Sequence, residues 1–337
     1  MIDSMQNKQE NNELLYALKG ISSILVIFIH CRFPGALGDL VNVFARIAVP
    51  MFFYINGRFM LNRGVDGLKS KTFKLIKKLL LVLVIYNLFS FSYYLINSKL
   101  SEWFSAKCSI KEIFSLLIFN SSRLLYDDFI SVDHLWYGFA LLNVIIIVLI
   151  TKGKLNTLGF VASQFPLLLF FLFYYLFLNS INSIPWHYLR NFASIALPFI
   201  YLGIYCNKNN DEIRNIADKI NPILLLILFI AGFGLSESET YLFGIKDVNV
   251  GTILSVIALI LLSEKKFMIK PKVFSYIGKR FANETYYWHV LFISLGRVIF
   301  PDGKLGGFEY VRPLIIVFLS LAFAGLLDTL KRKYKSV

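Results

Sequence analysis

Residues 14–30 read LLYALKGISSILVIFIH, an apolar run interrupted by a single lysine, Lys19, and closed by a histidine, His30. A helix needs roughly 20 such residues to cross a bilayer core of about 30 Å. No small-residue cleavage pattern follows His30, so the run reads as a retained membrane helix and not as a leader peptide. Comparable runs recur to the end of the chain, among them 79–88, 165–178 and 314–327, with almost no polar face. Water-soluble helical packing would need such faces.

Composition agrees. Of 337 residues 57% are hydrophobic and 17% charged, against roughly 45–50% and 25% in ordinary soluble domains. The expected fold is therefore all-α and integral to a membrane, a bundle of about ten transmembrane helices. Breaks at proline, glycine and charge clusters place the spans near 14–31, 43–61, 75–96, 134–150, 160–178, 192–206, 220–235, 250–263, 283–300 and 311–329. No soluble domain, repeat or low-complexity segment is evident. The chain 1–337 reads as one membrane-embedded domain with short tails at 1–13 and 330–337.

The net charge of +14 could suggest nucleic acid, but in a membrane protein basic residues first set topology. Arg63, Lys69, Lys71, Lys74, Lys77 and Lys78 follow the second span; Lys265, Lys266, Lys270, Lys272, Lys279 and Arg280 follow the eighth; Lys331, Arg332, Lys333 and Lys335 form the tail. An even number of spans puts all three clusters on one side, which the positive-inside bias makes the cytoplasm, N-in and C-in. Binding to anionic lipid is compatible with the same pattern. The longest opposite loop, roughly 97–133, carries Trp103, an amphipathic stretch at Ile110–Phe119 and the acids Asp127, Asp128 and Asp133. It suits an interfacial partial lid. Cys31, Cys108 and Cys206 are too scattered for a metal site or an evident disulfide framework.

Charges inside spans cost about 2.5–3.5 kcal/mol on insertion scales, so each is a functional candidate. Lys19 and His30 stand three helical turns plus roughly 20° apart, on one face, about 16 Å along the axis. Asn12, Ser23 and Val26 share that stripe. Such a track could hold an anionic donor at Lys19 while an imidazole of ordinary pKa ~6.5 acts as general base at His30. A plainer reading stands beside it: Lys19 snorkels and His30 marks the interface. Arg58 could meet phosphate, or be one more positive-inside residue. His134 and Trp136 open the fourth span, where Trp136 suits an aromatic belt. Glu284, Tyr286, Tyr287 and His289 make the ninth span polar, with His289 a cavity residue or a packed one. Arg32, Arg46, Arg190 and Arg297 could form a basic mouth for a sugar phosphate or acidic glycan, or be scattered interface arginines.

Several of these stretches resemble the acyltransferase-3 family of bacterial membrane acyltransferases. Residues 18–30 are similar to its opening helix, with a basic residue, ten residues and a histidine. Residues 49–59, VPMFFYINGRF, resemble its Pro-Met-Phe-Phe-x-Ile-Ser-Gly-Phe segment. His134-Leu-Trp136, residues 197–203 (LPFIYLG) and residues 285–289 (TYYWH) resemble later segments in the same order. Lys19 stands where the family usually has arginine, losing the planar fork that binds phosphate bidentately. Asn56 stands where serine precedes the glycine.

The resemblance implies an O-acyltransferase of the bacterial cytoplasmic membrane, an O-acetyltransferase in the first instance. It would use cytoplasmic acetyl-CoA as donor substrate, with no permanently bound cofactor or metal, and a hydroxyl of a capsule, exopolysaccharide or lipid-linked polysaccharide as acceptor. His30 and Lys19 would be catalytic. Lys19, Arg58, Lys77 and Lys78 would contact the donor, with His289, His134, Glu284 and Arg46 as further site candidates. Membrane lipid and the glycan are the expected partners, and nucleic acid is not. A transporter or flippase for a glycan or small anion fits the same polar track but lacks paired halves with matching broken helices. Succinyl transfer is a second alternative, and an acyl-histidine or acyl-Cys31 intermediate stays open beside direct transfer.

Overall fold

Apolar residues at helical spacing fill the chain, and in the computed structural model every regular element among the described residues is helical. The described residues are 2–62, 64–126, 130–152, 157–176, 190–265, 271–299 and 307–335. Asp127, Asp128, Arg63, Lys266 and Lys270 of the sequence expectations lie outside them.

The elements are α1 (Ile2–His30), α2 (Gly35–Ala45), α3 (Ala48–Arg58), α4 (Gly64–Ile96), α5 (Leu100–Lys107), α6 (Ile110–Phe119), a 3₁₀ turn (Asp133–Leu135), α7 (Trp136–Ile150), α8 (Thr157–Leu176) and a π turn (Phe192–Ala196). There follow α9 (Leu197–Lys208), α10 (Asn210–Lys219), α11 (Pro222–Phe243), α12 (Val250–Glu264), α13 (Lys272–Arg280), α14 (Ala282–Ile299) and α15 (Phe308–Lys335).

Six stretches among the described residues are long and apolar enough to cross a membrane: Glu13–His30, Gly35–Arg58, Gly64–Ile96, Asp133–Ile150, Pro222–Phe243 and Phe308–Tyr334. Gly159–Leu169 and α12 are shorter apolar helices. The polar α14, with Glu284, His289 and Arg297, is not among the six, and the expected span 192–206 is divided between the π turn and α9.

The second span starts at Gly35, earlier than the sequence suggested, and is broken between α2 and α3 at Arg46–Ile47. The break lies four residues before Pro50, whose ring clashes with the carbonyl at that distance and removes an amide donor. The basic segment before the third span is helical too, because lysines are good helix formers and α4 simply begins at Gly64.

The chain forms two compact units, Met1–Phe52 with Asn209–Val337, and Phe53–Lys208. In the first, α1 packs chiefly on α13 and α14, α14 on α15, and α11 on α12. Two of these contacts are glycine crossings. A Cβ on Gly20 would stand 2.3 Å from the Phe274 carbonyl oxygen, and one on Gly278 would stand 1.7 Å from that of Tyr16. Gly251 would meet the Gly232 carbonyl oxygen at 2.3 Å. Without side chains at these points the backbones approach closely, as membrane helices do where burial of apolar surface supplies no drive.

In the second unit α4 packs on α7, α8 on α9, and the π turn on α7, α8 and α9. The end of α3 crosses α9 through Gly57 and Gly203, whose Cβ atoms would stand 2.0 Å from the Ile200 oxygen and 2.2 Å from the Tyr54 oxygen. Apolar side chains on the outward faces, such as Leu80, Val84 and Leu88 on α4 or Ile223, Ile227 and Ile230 on α11, are exposed, as a lipid-facing surface requires.

Candidate functional site

The α1 stripe turns inward. Ser23 and Val26, which separate Lys19 from His30 along it, are 0% and 2% exposed, while Lys19 and His30 themselves are half-buried. The stripe therefore faces the first unit's own helices and not lipid. At its end the His30 ring lies 5.3 Å, centroid to centroid, from that of His289 on α14.

His289 is fully buried. Its Nδ1 lies 2.8 Å from the Tyr286 carbonyl oxygen and 3.3 Å from that of Thr285. A carbonyl only accepts, so Nδ1–H is the donor, and in the neutral ring the lone pair sits on Nε2. Tyr286 extends the aromatic wall, with Phe52 at 6.2 Å and His289 at 6.3 Å between ring centroids. Cys31, next to His30, is buried in an apolar cluster with Ile27, Ile293 and Ile316.

Glu284, at the start of α14, accepts from the Trp288 indole at 3.0 Å and pairs with Lys331 of α15. Around it Arg280 and Arg332 share Asp328 at 3.1 and 3.2 Å, and Lys279 and Ser275 both donate to Glu13. Many basic residues at this end of the first unit are thus already matched with acids.

Arg46 is held by residues the sequence reading had not singled out. Its Nη1 meets Asp247 at 2.9 Å, while Nε and Nη2 donate to Asn42 Oδ1 at 3.2 and 3.0 Å. Asn42 in turn donates to the Ile29 carbonyl at 3.4 Å.

In the second unit, Arg58 is buried and donates to Asn207 at 2.6 Å, and Asn207 to Asn62 at 3.1 Å. Asn56 donates to the Tyr137 hydroxyl at 2.6 Å. His134 is buried with its ring edge-on to Tyr86 at 6.1 Å. Arg190 lies over the Trp136 ring at 5.0 Å and 3.9 Å from Asp133. Lys77 is exposed, its ammonium 4.5 Å from the Phe73 centroid, and Lys78 is half-buried. Lys107 turns inward to donate to the carbonyls of Arg123, Leu124 and Tyr126, which ties α5 to the loop after α6.

An inward-facing stripe from Lys19 to His30 that ends beside the buried His289, in a chain with six helices among its described residues long and apolar enough to span a bilayer, defines a multi-pass membrane protein with polar groups turned into its helical packing. The chain belongs to the acyltransferase-3 family: that family's acyltransferase domain matches residues 14–327, across both units. It is a membrane acyltransferase. No curated protein matches the chain, and no solved structure does.

Proposed function

We propose that the protein moves an acetyl group from cytoplasmic acetyl-CoA to a hydroxyl of a surface or lipid-linked polysaccharide, across a bacterial cytoplasmic membrane with both termini inside. The observation that carries this reading is the His30–His289 pair, two imidazoles 5.3 Å apart at the end of a stripe that begins with a cation.

The reaction needs one base and one electrophile held together. An imidazole nitrogen of His30 takes the proton of the glycan hydroxyl as its oxygen attacks the thioester carbonyl. The carbon–sulfur bond then breaks, and the proton passes to the departing thiolate, giving the ester and free coenzyme A. His289, fixed through Nδ1, offers Nε2 as a neighbouring acceptor that orients His30. Lys19, about 16 Å away by helix rise, attracts the donor's phosphates, a separation on the order of an extended pantetheine arm. Lys77 and Lys78, exposed and half-buried on α4, are proposed as anion contacts to be tested one by one. Arg58, Glu284, Arg46 and His134 are given supporting and not chemical roles, because each is packed among its own partners.

The test is transfer of labelled acetyl from acetyl-CoA to a glycan acceptor by purified protein in liposomes, with ester detection by NMR. The parent is expected to form ester and His30→Ala none, with equal membrane insertion. Undiminished ester in His30→Ala removes His30 from the mechanism. Glycan movement without ester makes the protein a transporter. Preference for succinyl-CoA changes only the acyl group.

A further inference from the structure

The C-terminal end of α1 presents a problem common to all helices: its last carbonyls have no partner within the helix. Here the carbonyl of Ile29, the residue before His30, accepts from Asn42 Nδ2 at 3.4 Å. An asparagine amide can point either way, but Arg46 decides it. Two guanidinium N–H groups, on Nε and Nη2, converge on Asn42 Oδ1 at 3.2 and 3.0 Å, which leaves the amide nitrogen directed at Ile29.

Arg46 is itself aimed by Asp247, whose carboxylate meets Nη1 at 2.9 Å with both side chains largely buried, 11% and 16% exposed. Asp247 sits on the short connection between α11 and α12, and that connection is fixed. Glu239 accepts from the Val250 and Gly251 amides at 3.2 and 2.9 Å, and Asn249 donates to Thr240 Oγ1 at 3.2 Å. Phe44 on α2 packs edge-on against Phe229 and Phe233 of α11, holding α2 between that anchor and α1.

We propose that Asp247 is a positioning residue for His30, acting through Arg46 and Asn42 on the end of α1. The inference rests on His30 as the base of the proposed reaction. It gives Arg46 a task other than anion binding, since three of its N–H vectors are already committed to Asp247 and Asn42. The chain of contacts is serial, so breaking any one link should loosen the same imidazole.

The experiment uses the full chain in liposomes with labelled acetyl-CoA and the glycan acceptor. Asp247→Asn is expected to lower kcat about tenfold, with the donor KM within about twofold. Asn42→Ala is expected to do the same, and the double variant to lose no more than the worse single one, as members of one relay do. Asp247→Glu should recover at least half of the rate. Should Asp247→Asn fold poorly, Arg46→Gln/Asp247→Asn removes both charges of the buried pair and should show the same tenfold loss. Unchanged kcat, a loss confined to KM, or losses that multiply in the double variant would overturn the relay. If His30→Ala is inactive while Asp247→Asn is unimpaired, the relay alone falls. If His30→Ala still turns over, both readings fall.

Discussion

His289 Nδ1 donates to the carbonyl of Tyr286 three residues earlier on its own helix, at 2.8 Å. That bond opposes rotation of the ring, which lies 5.3 Å, centroid to centroid, from that of His30. The donating Nδ1 sets the tautomer of the neutral, fully buried imidazole, with the lone pair on Nε2.

The first prediction follows from the nearness of the two rings. His289→Ala should lower kcat for acyl transfer by about 10²-fold, within the range ascribed to positioned acid–base groups, with little change in donor KM. His289→Asn keeps a donor for the Tyr286 carbonyl but supplies no basic nitrogen. It should fold like the parent and turn over like the alanine variant. Steady-state kinetics on both variants check this, and an asparagine variant with parental kcat would make His289 a packing residue only.

Cys31 is next to the proposed base yet only 3% exposed, among Ile27, Ile293 and Ile316. A thiol so enclosed by apolar side chains has little access to an incoming acyl donor. Cys31→Ala should retain at least half of the parental kcat, and no acyl-thioester should be trapped on the protein during turnover. In native liposomes a maleimide should label the exposed Cys108 before the buried Cys31 and Cys206. Mass spectrometry reads both results, and an acetylated Cys31 peptide would establish a covalent path.

The glycine crossings predict stability, not rate. Gly278→Ala places a methyl where the Tyr16 carbonyl oxygen already stands, 1.7 Å from the ideal Cβ, so α1 and α13 must separate. Overpacking of this kind costs about 1–3 kcal/mol. Gly234→Ala is the control, since nothing lies within 4 Å of its Cβ position, and it should be neutral or slightly stabilising through helix propensity. Thermal unfolding in detergent compares the two, and equal midpoints would show that the crossing has room to spare.

The membrane class and the inward stripe were legible because hydropathy and the 100° helical period act over neighbouring residues. Lys19 and His30 are on one helix, so their shared face follows from spacing alone. His289 could be named as polar in an apolar span but not paired with His30, since no local rule joins α1 to α14. Asp247 was invisible for the same reason: its partner Arg46 is 201 residues away, and an acid after a span looks like any loop acid. In the sequence, the lysines between the second span and residue 75 look like a break because they are charged. Lysines are good helix formers, and α4 runs through them. Arg46 looked like a mouth residue for want of any sign of Asn42 and Asp247 around it.

Glu239 gives the last prediction. It is a carboxylate at the end of a long apolar helix, only 7% exposed, and a charge so placed needs strong partners. It finds them at the N-terminus of α12, where two otherwise unmatched amides, those of Val250 and Gly251, donate to its two oxygens. The α12 dipole favours the negative charge at that point. Glu239→Gln keeps the size but turns an NH₂ toward one of the two amides, so a donor faces a donor. The cost should be about 2 kcal/mol, the scale for losing a charge-assisted hydrogen bond in a buried site. Because the same connection carries Asp247, kcat should fall with stability, in the direction of the Asp247→Asn variant but by less. Thermal unfolding together with acyl-transfer kinetics on Glu239→Gln measures both, and a variant as stable as the parent would mean that the carboxylate does not cap α12.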